Sequence, residues 1–228
     1  MKVLVACEES QRVCAAFREK GHNTFSCDIL PCSGGHPEWH IMQDVLPLVN
    51  GNCEFSTTDG RKHKIIGKWD MIIAFPPCTY LTAAGACRMY PTKGNIDMSR
   101  YQKAQEAKEF FMMFYNAHCD KIVIENPKPL KVIDLPKETQ RVQPWEYAKD
   151  ESEFFTKQTY LWEKGVDLLV PLRTEKPIET IPFVNAGSKK ANGEYRDKQG
   201  IKYTAIERSK TFFGIAAAMA EQWGGIDG

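Results

Sequence analysis

The sequence predicts an α/β fold with a mostly parallel sheet and one inserted β-hairpin. Three observations predict it. Short, branched, apolar runs without alternation recur through the first 125 residues, as expected of strands buried on both faces. Segments with helical periodicity separate several of them. Each run also ends beside a residue with chemistry to offer: Cys7, Asp28, Cys78 or Glu125.

Lys2 to Cys7 (KVLVAC) is the first such run. Ser10 is placed to cap a helix through Val13 and Phe17, with Gly21 as its stop. Asn23 to Ile29 (NTFSCDI) is a second strand ending in an acid, which completes the opening of a βαβ unit. Residues 51–67 read as an inserted hairpin. Asp59-Gly60 forms its turn, because both residues tolerate positive φ. Trp69 to Phe75 (WDMIIAF) is a buried strand running straight into Pro76-Pro77-Cys78. Asp97 or Ser99 starts the longest helix, which reaches about His118 and gathers Ala104, Ala107, Phe110, Phe111 and Phe114 on one face. Lys121 to Ile124 is the next buried strand, and Glu125-Asn126-Pro127 follow it. Beyond Pro127 the pattern is irregular: a short strand at Thr159 to Trp162, a Pro/Gly/Lys/Glu-rich loop over Pro171 to Gly200, and a last helix from Ser209 to Trp223.

The 228 residues, 43% of them hydrophobic, suit one α/β domain over 1–228. No run of about 18 apolar residues is present, which argues against a membrane span. Two glutamates interrupt the N-terminus before a signal-peptide core forms, so a cytoplasmic protein with its eight cysteines reduced is expected. With a formal net charge of +1, contact with nucleic acid has to come from a local patch. Lys128, Lys131 and Lys137 form one candidate patch, and Lys189, Lys190 and Arg196 another; a solvated lysine-rich surface is the plainer account of both.

Open parallel sheets bind ligands beyond the carboxyl ends of their strands, where Asp28, Cys78 and Glu125 fall. Two prolines hold Cys78 on a rigid loop. A nucleophilic thiol needs access and a lowered pKa, which polar donors at a strand end supply. A glutamate ending a buried strand is poorly solvated, so its pKa should rise and it should donate a proton near neutral pH. Taken singly, each is also compatible with an inert thiol and a loop-capping acid. Cys27, Cys32, His36 and His40 have the spacing C-x4-C-x3-H-x3-H, which invites a structural zinc. The Cys-to-His gap is too short for known fingers, so ordinary thiols and imidazoles, with no metal, are preferred.

Read together, these segments resemble the DNA cytosine carbon-5 methyltransferases, above all the small phage- and prophage-type members. The chain has PPCTYLT, then ENP, QPW at 143–145, KQTYLW at 157–162 and KTFFGIAAAMAEQW at 210–223, colinear over most of its length. The resemblance implies a Rossmann-like class I methyltransferase sheet using S-adenosylmethionine. It implies Cys78 as nucleophile on cytosine carbon-6, Glu125 as acid at ring nitrogen-3, and Lys157 as the basic residue near the base. Implied cofactor positions are Ala6, Cys7, Glu8 and Glu9 after the first strand, Asp28 for the ribose hydroxyls, Asp44 for the adenine amine, and Phe75 and Pro77 on the methyl-donor side. A DNA partner is implied, with the target base flipped from the stack.

The chain departs from that pattern in four places, two of them being Glu-Asn-Pro where the larger enzymes have Glu-Asn-Val, and Lys157 in KQTYLW as the one basic residue answering their Gln-x-Arg-x-Arg strand. ACEESQ replaces the glycine turn of the larger enzymes. An irregular region at 163–207 stands where they carry a target-recognition domain, which leaves specificity short, relaxed or supplied by a partner. Two alternatives stay open: the same fold acting on a nucleotide or another base, and a non-catalytic nucleic-acid-binding or interaction protein.

Overall fold

A computed structural model describes residues 1–183, 195–196 and 202–225. Its strands are β1 (Lys2–Ala6), β2 (Asn23–Asp28), β3 (His40–Met42), β4 (Cys53–Ser56), β5 (Lys62–Ile65), β6 (Met71–Ala74), β7 (Lys121–Pro127), β8 (Gln140–Val142), β9 (Phe155–Thr156) and β10 (Thr159–Lys164). Its helices are α1 (Arg12–Glu19), α2 (Ala86–Met89), α3 (Met98–Tyr115), α4 (Pro144–Tyr147), α5 (Ala205–Ser209) and α6 (Phe213–Trp223). Seven strands form the main sheet in the order β3-β2-β1-β6-β7-β10-β8. The first five are parallel; β10 runs antiparallel to both β7 and β8. This is the mostly parallel, Rossmann-like α/β sheet that the sequence predicts, and β4 and β5 form the inserted hairpin outside it. Among the described residues no helix is long and apolar enough to cross a membrane.

The uninterrupted apolar runs are explained by burial on both faces. Successive strand residues point to opposite sides. Val3, Val5, Met71, Ile73, Val123 and Leu161 pack with α1 and α6. Leu4, Ala6, Ile72, Ala74, Ile122, Ile124 and Trp162 pack with α3 and the hairpin. On α3, Ala104, Phe111 and Phe114 are fully buried, each phenylalanine adding about 1.5–3 kcal/mol where fully removed from water.

Several local expectations are corrected. Ser10 does not cap α1: Gln11 occupies the N-cap in the left-handed region. The buried Glu8 carboxylate accepts from the amides of Val13 (2.7 Å) and Cys14 (3.2 Å) instead, satisfying two donors that every helix start leaves open. In the hairpin turn Gly60 alone takes positive φ (+88°), and Asp59 uses its carboxylate to accept from Thr57 Oγ1 at 2.6 Å. β7 does not stop at Ile124. It continues through Glu125 to Pro127, because β10 pairs along it at Leu161↔Glu125 and Thr159↔Pro127. β8 was not anticipated; its three residues are held partly through side chains, Gln140 bonding both to the carbonyl and to the amide of Leu169. The last helix is broken at Lys210-Thr211-Phe212. Glu153 accepts from the amides of Phe213 and Gly214, both at 2.7 Å, which creates a fresh, capped helix start there.

Candidate active site

The loop after β6 is pinned on both sides of its thiol. Phe75 N donates to Ala6 O at 2.9 Å, carrying the ladder one step past the strand. Asn126, fully buried on β7, donates from Nδ2 to Pro76 O at 2.9 Å. The Cys78 carbonyl accepts from the amides of Leu81 and Thr82. Arg100 donates to Thr79 O at 2.8 Å and lies 5.0 Å from the Tyr80 ring centroid. Cys78 itself is half-buried, so its sulfur is held in place yet reachable.

Glu125 lies on β7, the neighbour of β6, one residue past the level where β6 ends (Ala74↔Ile124). Burial pushes its carboxyl up, and the nearby Lys157 ammonium partly offsets that. The direction is the one the sequence argument expected. The thiol behaves differently: burial raises the Cys78 pKa, the Glu125 charge raises it further, and Lys157 and Arg208 pull it back. Thus the loop does not supply a resting thiolate: burial first, and the Glu125 charge second, hold the thiol protonated against the pull of the two cations. A charged Glu125 disfavours the Cys78 thiolate, and protonation of Glu125 removes that opposition.

Lys157 sits just ahead of β10. Its amide donates to Gln143 Oε1 (2.9 Å), and its ammonium donates to Arg208 O (2.9 Å). The ammonium also lies 5.8 Å from the ring centroids of Phe183 and Phe212, within cation–π range. Gln143, the first residue of QPW, therefore positions Lys157. Arg208 went unnoticed in the sequence; its only signal was its place two residues before the Lys-Thr pair.

A second group lies at the mouths of β1, β2 and β3. Ala6 is buried at the end of β1, and Cys7 follows in the left-handed region, φ 58°. A residue with a Cβ pays about 1–2 kcal/mol for that conformation, so the backbone turns sharply here without a glycine. Burial pushes the Cys7 thiol up, and the charges of Asp28, Cys27 and Asp44 act in the same direction. These charges are therefore near enough to Cys7 to act on it. Asp28 is half-buried, accepts from Leu30 N at 2.9 Å, and is raised first by burial. Asp44 is exposed and accepts from Leu46 N at 3.0 Å. Glu8 spends its carboxylate on α1. Glu9 faces Lys210 at 3.7 Å. Phe75 packs partly against the α1–α6 side, and Pro77 is exposed.

Lys128 is exposed at the end of β7, where its carbonyl accepts from Ala83 N. Lys131 and Lys137 are also exposed. Arg196 belongs to a two-residue strand pair, Tyr195–Arg196 with Lys202–Tyr203; Lys189 and Lys190 lie outside the described residues. The Cys/His constellation does not converge. Both ring nitrogens of His40 are engaged, by Ser26 and Leu30 O. His36 stacks on Trp39, and Cys27 bonds to Gln43 O. Among the described residues no metal-like group of His, Cys, Asp and Glu is present. A shallow concavity lined by Lys121, Gly165, Asp167 and Trp223 opens at the opposite, amino ends of the strands and plays no part in this site.

No profile of a known protein family and no curated protein matches this chain. Among solved structures it is similar to a candidate DNA modification methyltransferase encoded within an Escherichia coli prophage, at 13% identity and a TM-score of 0.44. The alignment covers 91% of this chain and 63% of that one, so this chain spans less than two thirds of that neighbour's length.

Proposed function

We propose that the chain is an S-adenosylmethionine-dependent methyltransferase acting on cytosine carbon-5 in DNA, with Cys78 as nucleophile and Glu125 as acid. The observation that carries this reading is a held, half-buried thiol in the loop after β6 and a raised carboxyl near the end of the adjacent β7, with the charges of Glu125, Lys157 and Arg208 all acting on the thiol.

The donor set at the mouths of β1 to β3 fits the cofactor. Asp28 and Asp44 are acceptors, suited to ribose hydroxyls and an adenine amine. Ile29, next to Asp28, and Met42, the last residue of β3, are exposed apolar side chains near these acids (76% and 53%). Ala6, Cys7 and Glu9 would line the loop, Phe75 and Pro77 the acceptor side, while Glu8 holds the loop to α1. The bound cofactor would supply an electrophilic methyl group.

The chain's own groups prepare the acceptor. Cys78 Sγ, losing its proton, forms a bond to ring carbon-6. The displaced electron pair moves toward nitrogen-3, where Glu125 provides a proton, leaving carbon-5 electron-rich. Lys157 and Arg208 favour the thiolate, and a protonated Glu125 no longer opposes it. Both raised groups are thus suited to addition, which needs an acid at nitrogen-3 and a thiol whose deprotonation the cations assist. Loss of the carbon-5 proton to water then re-forms the ring double bond and expels the thiolate, and ring nitrogen-3 returns its proton to Glu125. The exposed Lys128 is assigned to DNA phosphates, together with Lys189, Lys190 and Arg196.

Release of tritium from DNA labelled at cytosine carbon-5 tests the reading. It should require S-adenosylmethionine and be lost in Cys78→Ser. Methyl transfer to DNA without tritium release would move the acceptor atom; cofactor binding without any transfer to DNA or nucleotides would favour a non-catalytic role.

A further inference from the structure

The stretch from α5 to α6 crosses from one half of the site to the other. Arg208 O receives Lys157 at the acceptor end. Two residues on, Lys210 Nζ donates to Ser33 Oγ at 2.9 Å in the loop after β2. Thr211 O receives Arg12 Nη1 at 2.7 Å, and Arg12 lies 4.2 Å from the Phe213 ring centroid. Lys210 is thereby fixed opposite Glu9, in the loop after β1.

Their contact is incomplete. Lys210 Nζ and Glu9 Oε1 are 3.7 Å apart, beyond hydrogen-bond reach, although the two side chains are only 19% and 11% exposed. Glu9 Oε1 is buried and has no hydrogen-bond partner. A buried carboxylate oxygen without a donor is costly, and native structures rarely leave one unexplained. Lys210 has donors beyond the one given to Ser33. Acceptor and donor capacity therefore stand side by side, at the mouth that also holds Asp28, whose carboxyl is close enough to respond to the Glu9 charge.

We propose that Glu9 and Lys210 form a zwitterion-binding pair for the α-amino-acid head group of the methyl donor, Glu9 receiving its ammonium and Lys210 its carboxylate. The assignment rests on the cofactor reading above and deepens it: the pair selects a nucleoside carrying an amino acid over one without. It also places Lys210 on the same short stretch as Arg208, joining the donor's head group to the residue that braces Lys157.

Calorimetric titration of the full chain with S-adenosylhomocysteine and with 5′-methylthioadenosine tests it. The second probe keeps the adenosine and the sulfur but lacks the amino acid. The wild type should prefer S-adenosylhomocysteine. Lys210→Met and Glu9→Gln should each weaken that probe by about tenfold to a hundredfold, the worth of a charge-assisted contact. Methylthioadenosine affinity should stay unchanged, which also certifies the fold of each variant. Equal weakening of both probes, an unchanged preference in the variants, or no preference in the wild type would overturn the pair while leaving the cofactor reading in place. A wild type that binds neither probe would overturn the cofactor reading and the pair with it.

Discussion

Cys7 and Cys78 follow neighbouring strands whose ends are in register, Ala6 beside Ala74. Both are half-buried, and burial raises both thiols. Their surroundings differ in sign. Cys7 feels the charges of Asp28, Asp44 and a second thiol, all of which oppose a thiolate. Cys78 faces one carboxyl and two cations. Position after a buried strand thus does not make a nucleophile. What distinguishes Cys78 is counter-charge, together with an acid that can give up its opposition by taking a proton.

The largest effect expected from that contrast is on transfer. Cys78→Ser should cost about a thousandfold or more in turnover, whereas Cys7→Ser should act on the apparent KM for the donor; equal losses of turnover in both would erase the distinction. Next, Glu125→Gln should lower turnover by about 10²–10⁴. It should at the same time bring the Cys78 thiol pKa down, seen as faster alkylation by iodoacetamide at fixed pH. In the wild type that alkylation should rise with pH, with its midpoint above the ordinary thiol value of 9.0. Lys157→Met should push the midpoint higher and slow alkylation about threefold to tenfold at neutral pH, with Cys7 unaffected.

The smallest effect on chemistry comes from Glu8, whose role is structural. Burial pushes its carboxyl up to about 7 from an ordinary 4.5. Its neutral form is the one the fold prefers, so its contribution is complete below the unfolded value and fades as pH rises through about 7. At 1.36 kcal/mol per pH unit this amounts to at most about 3 kcal/mol. Chemical unfolding from pH 4.5 to 8 should show that decline in the wild type and a flatter profile in Glu8→Gln.

The parallel half of the sheet was legible in the sequence because strands buried on both faces leave unbroken apolar runs, as in KVLVAC and WDMIIAF. The antiparallel edge was not. β8 is three residues long, and its Gln140 and Arg141 give no apolar signal; pairing with β10 and the Gln140 bonds to Leu169 make it a strand. The end of β7 was missed for the same reason, since only a partner strand extends it past Ile124. In the site, Cys78 and Glu125 were visible through the rigid proline loop and the acid at a strand end. The direction of the thiol shift was misjudged, because a loop sequence does not reveal which charge faces the sulfur. Arg208 and Lys210 were unreadable as site residues: each reaches the site through contacts more than 50 residues away in the chain.

Trapping tests the central claim most directly. The protein, S-adenosylmethionine and DNA containing 5-fluorocytosine are incubated together; methylation at carbon-5 then leaves a fluorine that cannot depart as a proton would. A protein–DNA adduct stable on a denaturing gel, with the base attached to the peptide bearing Cys78 and absent in Cys78→Ser, is the result predicted. An adduct that persists in Cys78→Ser, or efficient methylation of cytosine carbon-5 by that variant, would contradict the account.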